Sequence, residues 1–268
     1  MRGPLVALGA IGLGVTLIWT PSPACVQAAE LKDATTRAFE RYVADAKAGF
    51  LARVSTGGRA IGESPAVVAG QGDGITTVTG GLVHHWAGSV FISQATLDRV
   101  LDVSQDYGEY HRIYRPILAS TVLDEGENTF RVAMRIKEGA GMVTAVLDVV
   151  STVTYQFPQA GKVYAFSVAD EIREVRDPGT GRERRLTPGS DSGYLWRAAT
   201  FTCYTERETG VAIELENVGL SRSFPPLLGW MIEPIARRLG RKSVEASLHE
   251  FRDAVLAASA VDAQARSK

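Results

Sequence analysis

Cysteine is almost absent: the 268 residues contain two, Cys25 and Cys203. Cys25 falls in an N-terminal segment that reads as a leader, which leaves Cys203 alone in a mature chain, and a lone thiol cannot form an internal disulfide. Cys203 lies among Phe201, Thr202 and Tyr204 in a strand-like run with no base nearby. A buried, inert thiol is expected rather than a nucleophile. Net charge is nearly absent as well. Lys and Arg number 29 against 30 Asp and Glu, with no long run of one sign. Neither a nucleic-acid partner nor electrostatic adhesion to anionic lipid is indicated. Metal-loop spacing is missing too. His84 and His85 are adjacent, so on a strand they point to opposite faces and do not readily share one ion. His111 and His249 are remote, and no Cys/His/carboxylate spacing matches a metal loop. No metal and no cofactor is expected.

Two segments look like known motifs and lack their context. Gly70-Gln71-Gly72-Asp73-Gly74 has no Lys-Ser/Thr after it and opens no helix, so it is not a phosphate-binding loop. Pro188-Gly189-Ser190-Asp191-Ser192-Gly193 resembles the nucleophile segment of trypsin-like serine proteases. Ser190 stands where a glycine should precede the aspartate, Gly193 runs into Tyr194-Leu195-Trp196, and no matching histidine segment lies upstream. Triad chemistry needs that histidine and a buried aspartate, so a polar turn entering a strand is expected. Arg182-Glu183-Arg184-Arg185 reads as a solvated loop tip. It gives little attraction to a membrane, and a transient membrane contact is left open.

What is present begins with the leader. Met1-Arg2-Gly3-Pro4 carries one positive side chain, and Leu5 to Trp19 is apolar except for Thr16 and glycines. Thr20-Pro21-Ser22-Pro23 breaks a helix, and Val26-Gln27-Ala28 offers small residues where a signal peptidase reads. The run is shorter than the ~20 apolar residues of a comfortable span. Residues 1–28 are expected to be a signal peptide cleaved after Ala28, and the protein secreted or periplasmic. An uncleaved anchor is the alternative. Acylation at Cys25 is disfavoured because Ser22-Pro23-Ala24-Cys25 lacks the aliphatic residue such a site wants. About 240 residues remain, which suits one large domain, with or without an arm, and a core that needs no disulfide.

Leu31 to Val54 reads as a helix, with Ala38, Phe39, Tyr42, Val43, Ala46 and Phe50 at helical spacing. Thr56 to Gly81 is rich in Gly, Ser and Thr and reads as a linker with at most one weak strand, which makes residues 29–80 an appendage. Gly81 to Ile92 is a strand. Ser93 is read as the N-cap of a helix carrying Leu97, Val100, Leu101 and Ser104. Asp106 to Pro116 is turn-rich and holds Tyr107, Tyr110 and Tyr114. Strands are expected over Ile117–Leu123, Asn128–Lys137, Met142–Phe157, Lys162–Val175, Gly193–Thr205 and Gly210–Leu220. In the second of these, Phe130, Val132, Met134 and Ile136 alternate with Arg131, Ala133, Arg135 and Lys137, giving one dry face and one wet. Leu227 to Leu256 is a long C-terminal helix, which Pro234 and Gly240 should bend or split. Residues 259–268 are expected to be a disordered tail.

A long antiparallel sheet curls because its strands twist. One helix across the concave face covers the middle and need not fill the ends. Small residues such as Gly139, Gly141 and Ala145 leave room there for a ligand. The expected lining residues are Trp86, Tyr155, Tyr194, Trp196 and Arg197. Tyr194 and Trp196 would share one strand face; the aromatics supply an apolar wall with a polar tip, with ordinary core packing the competing reading. Arg197 could pair with a carboxylate or phosphate head. No catalytic set is expected.

The order of elements resembles the START-like, or polyketide cyclase/lipid transport, superfamily (SRPBCC). The resemblance is carried by strand Leu82–Ile92, helix Ala95–Ser104, Asp106-Tyr107-Gly108-Glu109-Tyr110 followed by Pro116, and the C-terminal helix after Leu220-Ser221-Arg222-Ser223-Phe224-Pro225-Pro226. It covers residues 81–258, and departs from the compact family in the leader and the Leu31–Gly80 arm. It implies an α+β helix-grip fold: a curved antiparallel sheet wrapped around a long C-terminal helix. It also implies a sterol, phospholipid, polyketide or plant hormone held between them, with some members acting as cyclases or hydrolases whose residues do not carry over here. The expectation is an exported binding or transfer protein for a hydrophobic small molecule or lipid. One alternative is a cyclase- or hydrolase-like enzyme pairing His84 with Glu171 or Asp170. Another is an interaction module docking through the Leu31–Val54 helix.

Overall fold

The computed structural model describes residues 31–59, 61–140, 143–187, 190–223 and 229–266. The leader, Gly141, the Pro188-Gly189 turn and Phe224-Pro225-Pro226 lie outside the described residues. Helix α1 spans Asp33–Ser55. Strands β1 (Ala66–Ala69), β2 (Ile75–Val78) and β3 (Gly81–Ser93) follow. Helix α2 (Leu97–Gln105), a 3-10 turn at Tyr107–Glu109 and the short helix α3 (Tyr110–Ile113) lead to β4 (Ile117–Glu125). Then come β5 (Thr129–Ala140), β6 (Val143–Gln159), β7 (Lys162–Arg176), the two-residue β8 (Arg184–Arg185), β9 (Arg197–Arg207), β10 (Gly210–Ser221) and helix α4 (Gly229–Arg266). The strands form one antiparallel sheet in the order β1-β3-β10-β9-β7-β6-β5-β4, with β2 on β3 and β8 on β7.

The sheet is buried on both faces near β3. Trp86, Val90 and Ile92 pack with Val244, Leu248, Phe251 and Val255 of α4 and with Val100 and Val103 of α2. On the other face Val83, Phe166, Phe201, Val218 and Leu220 pack with Phe39, Phe50 and Val54 of α1. The period of two sends alternate residues to the two layers, and the sheet is sandwiched between α1 and α4.

Helix α1 is therefore no appendage. It also covers a buried polar cluster. His85 Nε2 meets Glu216 Oε2 at 3.0 Å, and Tyr42 OH bonds His85 Nδ1 at 3.1 Å. Arg53 Nη2 lies 2.8 Å from Glu216 Oε1, and its Nε lies 3.6 Å from Glu214 Oε2. The Arg59 amide donates to that same Glu214 oxygen at 3.1 Å. Burial pushes the Glu216 carboxyl up, but the bond to His85 and the charges of Arg53 and Arg59 outweigh it and hold the group below its ordinary value.

The Gly-rich segment is part of the sheet rather than a linker, and its two strands both pair with β3. Its glycines serve close approach. A Cβ on Gly70 would lie 2.2 Å from the His85 ring, and one on Gly74, at φ +93°, would lie 2.5 Å from the Trp86 indole. Asp73 ties this segment to α4 through Arg237 at 2.6 Å.

Three further boundaries differ from expectation. Strand β3 runs through Ser93, and Thr96 caps α2 by accepting from the Arg99 amide at 3.3 Å. Strand β9 starts at Arg197, so Tyr194, Leu195 and Trp196 lie in the connection before it. Helix α4 is assigned as one helix through Pro234 and Gly240, and it continues through the alanine-rich tail to Arg266, where Ser259 Oγ donates to the Val255 carbonyl at 2.9 Å. The Arg-rich loop is pinned: Arg185 and Arg135 both pair with Asp148, and Arg135 also meets Glu183 at 2.9 Å.

At Gly240 α4 lies directly against the indole of Trp86. A Cβ there would lie 2.3 Å from Trp86 Nε1. Gly240→Leu is expected to cost about 2 kcal/mol by overpacking, lowering the thermal midpoint by about 5 °C. A melting curve matching wild type would contradict this contact.

Candidate functional site: a cavity between sheet and helix

A cavity of about 310 Å³ lies between α4 and the concave face of the sheet. Its helical wall is Ser243, Val244, Ser247, Leu248 and Phe251. Its sheet wall comes from Met134, Ile136 and Glu138 on β5, Val153 and Tyr155 on β6, Ala165 and Ser167 on β7, Thr200, Thr202 and Tyr204 on β9, and Ile213, Leu215 and Asn217 on β10. These sit two apart along each strand because only alternate residues face α4. Ser104 of α2 and the Tyr107–Ile117 stretch close one end.

That end carries a knot of hydroxyls. Tyr107 OH bonds Tyr155 OH at 2.7 Å; Ser104 Oγ bonds Tyr155 OH at 3.1 Å and Tyr204 OH at 2.6 Å. Tyr155 OH also donates to the Ser104 carbonyl at 3.2 Å, and Tyr110 OH donates to the same carbonyl at 2.6 Å. Rings support the knot: Phe130 packs on Tyr107 and edge-on to Tyr155. Burial pushes the phenols of Tyr107, Tyr155 and Tyr204 above their ordinary value, so they stay protonated. Tyr155→Phe removes the hydroxyl that ties Tyr107 to Ser104. It is expected to cost about 1–2 kcal/mol in equilibrium denaturation, because the desolvated Tyr107 hydroxyl loses its partner.

The other end is polar but barely charged. Ser167, Thr200 and Asn217 stand opposite one another across β7, β9 and β10. Glu138 reaches Ser243 Oγ at 3.5 Å, and burial raises its carboxyl pKa.

The expected lining residues are scattered. Tyr155 lines the cavity. Trp86 belongs to the core under Gly240 and is outside the wall. Trp196 packs in the α1-side core, and its Nε1 donates to Asp191 at 3.1 Å. Tyr194 packs beside Leu147, Val149 and Ile172; burial and the charge of Glu138 push its phenol up to about 12. Arg197 Nη1 donates to the Trp196 carbonyl at 2.9 Å, and the alternation along β9 puts it on the α1 side, away from the cavity. Thr200, Thr202 and Tyr204 were overlooked. Their i, i+2 spacing marks one face, but only the register shows that this face looks at α4.

The acid–base set suggested for an enzyme does not assemble. His84 Nε2 bonds Ser221 Oγ at 2.8 Å. Asp170 accepts from Thr152 at 2.8 Å, and Glu171 pairs with Arg173. The protease-like segment is a turn: Asp191 Oδ1 accepts from the Gly193 amide at 3.0 Å, and Ser192 Oγ donates to Glu174. Cys203 is buried on the α1 side, and burial raises its thiol pKa. Among the described residues no three His, Cys, Asp or Glu side chains come together as a metal site, and no helix is long and apolar enough to cross a membrane.

An antiparallel sheet curled over a long C-terminal helix, with a second helix and tyrosine-rich segment at one end, is a helix-grip architecture. No family model matches the chain, and no curated protein does. Among solved structures it is similar to a Thermus thermophilus protein at 13% identity and TM-score 0.47, over 65% of this chain and 97% of that one. It is similar to a STAR-related lipid transfer protein from Xanthomonas axonopodis at 17% identity and TM-score 0.46, over 68% and 99%. It is also similar to the Zhui aromatase/cyclase of a Streptomyces species at 13% identity and TM-score 0.44, over 65% and 93%.

Proposed function

We propose that this chain is an exported protein that binds or transfers a hydrophobic small molecule or lipid, held between the sheet and α4. The observation that carries this reading is the cavity of about 310 Å³ under α4. Ligand pockets of small molecules begin at about that size, and most of its wall surface is apolar, from aliphatic side chains and tyrosine rings. Each methylene buried there contributes about 0.8 kcal/mol, so affinity needs no charged anchor. Helix α1 lies on the far face of the sheet and leaves the cavity free. Native mass spectrometry of protein purified gently from its source tests this. A co-purifying neutral mass supports it; bare protein that also takes up no apolar dye contradicts it. Export rests on the apolar run Leu5–Trp19 and on Val26-Gln27-Ala28. N-terminal sequencing should find mature protein beginning at Ala29; an intact leader would contradict the cleavage.

A further inference from the structure

We propose that the ligand is a neutral apolar molecule bearing hydroxyl groups that donate hydrogen bonds, and that the cavity rejects carboxylate and phosphate heads. This rests on the binding reading above and narrows it.

The wall contains no Lys, Arg or His. An anionic head entering it sheds water and meets no cation, which is costly. The wall's one carboxyl is Glu138, half-buried, with Ser243 as its hydrogen-bond partner and no cation within ion-pair reach among the described residues. An ionised Glu138 accepts hydrogen bonds and repels a second negative charge. This end therefore suits a donor.

The hydroxyl knot at the other end leads to the same place by counting protons. Ser104, Tyr107, Tyr155 and Tyr204 hold one hydroxyl proton each. Tyr155 gives its proton to the Ser104 carbonyl. With the Tyr155 proton on that carbonyl, Tyr107 donates to Tyr155, Ser104 Oγ to Tyr155, and Tyr204 to Ser104 Oγ. In that arrangement all four protons are spent inside the knot, and among the tyrosines of this end only Tyr114 keeps a proton to give. What remains open is acceptor capacity on Tyr107 and Tyr204. A ligand carboxylate finds only the Tyr114 hydroxyl proton there, whereas a ligand hydroxyl finds open acceptors on Tyr107 and Tyr204 as well. Ser167, Thr200 and Asn217, on the polar side with Glu138, are neutral and serve donor or acceptor alike, so discrimination lies with Glu138 and the knot.

Size sets the scale. At ~30 Å³ per water-sized group, the volume takes about ten heavy atoms, a single chain or small ring system rather than a two-chain lipid. The wall residues Ser243 and Phe251 are eight apart on α4, which at 1.5 Å per residue is ~12 Å.

The test is calorimetric titration at neutral pH of the full mature protein with four ten-carbon probes, all kept below their micelle concentrations: decanol, decanediol, decanoate and decyl phosphate. Decanol and decanediol are expected to bind roughly tenfold or more tighter than the two anions. Glu138→Gln is expected to bring decanoate to within about threefold of decanol by removing the like charge. An anion that binds wild type as tightly as decanol overturns this inference and leaves the carrier reading standing. No binding by any probe overturns both. The wild-type series decides the question even where the variant does not fold.

Discussion

Placing an indole at position 202 is expected to abolish ligand uptake while the fold stands. Thr202 is half-buried in the middle of the concave face, opposite Ala165 on β7 and Leu215 on β10, and lines the cavity. A larger side chain there enters empty volume instead of displacing packed atoms, so the overpacking cost of about 1–3 kcal/mol seen in filled cores should be largely avoided. The ligand has no such escape. Losing burial of only three methylenes, at about 0.8 kcal/mol each, weakens binding roughly fifty-fold. Thr202→Trp should therefore melt within about 3 °C of wild type and show no uptake of a fluorescent apolar probe. Undiminished uptake would place the ligand elsewhere.

The second large effect lies on the opposite face. Arg53→Met removes the guanidinium that lies over the Phe50 ring and between Glu214 and Glu216. Both carboxylates are buried. Stranding a buried charge outright costs about 3–5 kcal/mol; because Arg59 and His85 still face Glu216, a loss of about 3 kcal/mol is expected, with a midpoint lowered by about 8 °C. The dependence on pH has a definite sign. Glu216 titrates below its ordinary value in the folded protein. Its contribution is thus fully present above the unfolded carboxylate pKa of about 4.3 and is lost as pH falls through the folded value. In the variant the stranded carboxylate is relieved by protonation. The gap to wild type should shrink as the medium is acidified, and a gap that widens in acid would contradict the assignment. α1 would then be held by the apolar contacts of Phe39, Phe50 and Val54 and by the hydrogen bonds of Tyr42 to His85 and of Lys162 to the Val54 carbonyl.

Much of the fold was legible because hydrophobic period carries it. The alternation of Phe130, Val132, Met134 and Ile136 marks β5, and the helical recurrence of Leu248, Phe251 and Val255 marks α4. Composition misled where glycine had two meanings. Gly70 and Gly74 read as flexibility, yet they let the backbone pass over His85 and Trp86. The site was legible only in part, because faces need register. Trp86 does point to the concave side, but Gly74 and Gly240 close over it. Trp196 lies one residue before its strand and turns toward Asp191. The row Ser167, Thr200 and Asn217 comes from three strands far apart in sequence, and nothing local announces that they align.

The central claim is that the space under α4 is where an apolar ligand sits. Methyl NMR during titration with decanol tests it most directly. Shifts are predicted at Met134, Ile213, Leu215 and Leu248, which wall the cavity, with Val83, Val218 and Leu220 beneath α1 unmoved. Shifts confined to the α1 face, or none at saturating decanol, would contradict it.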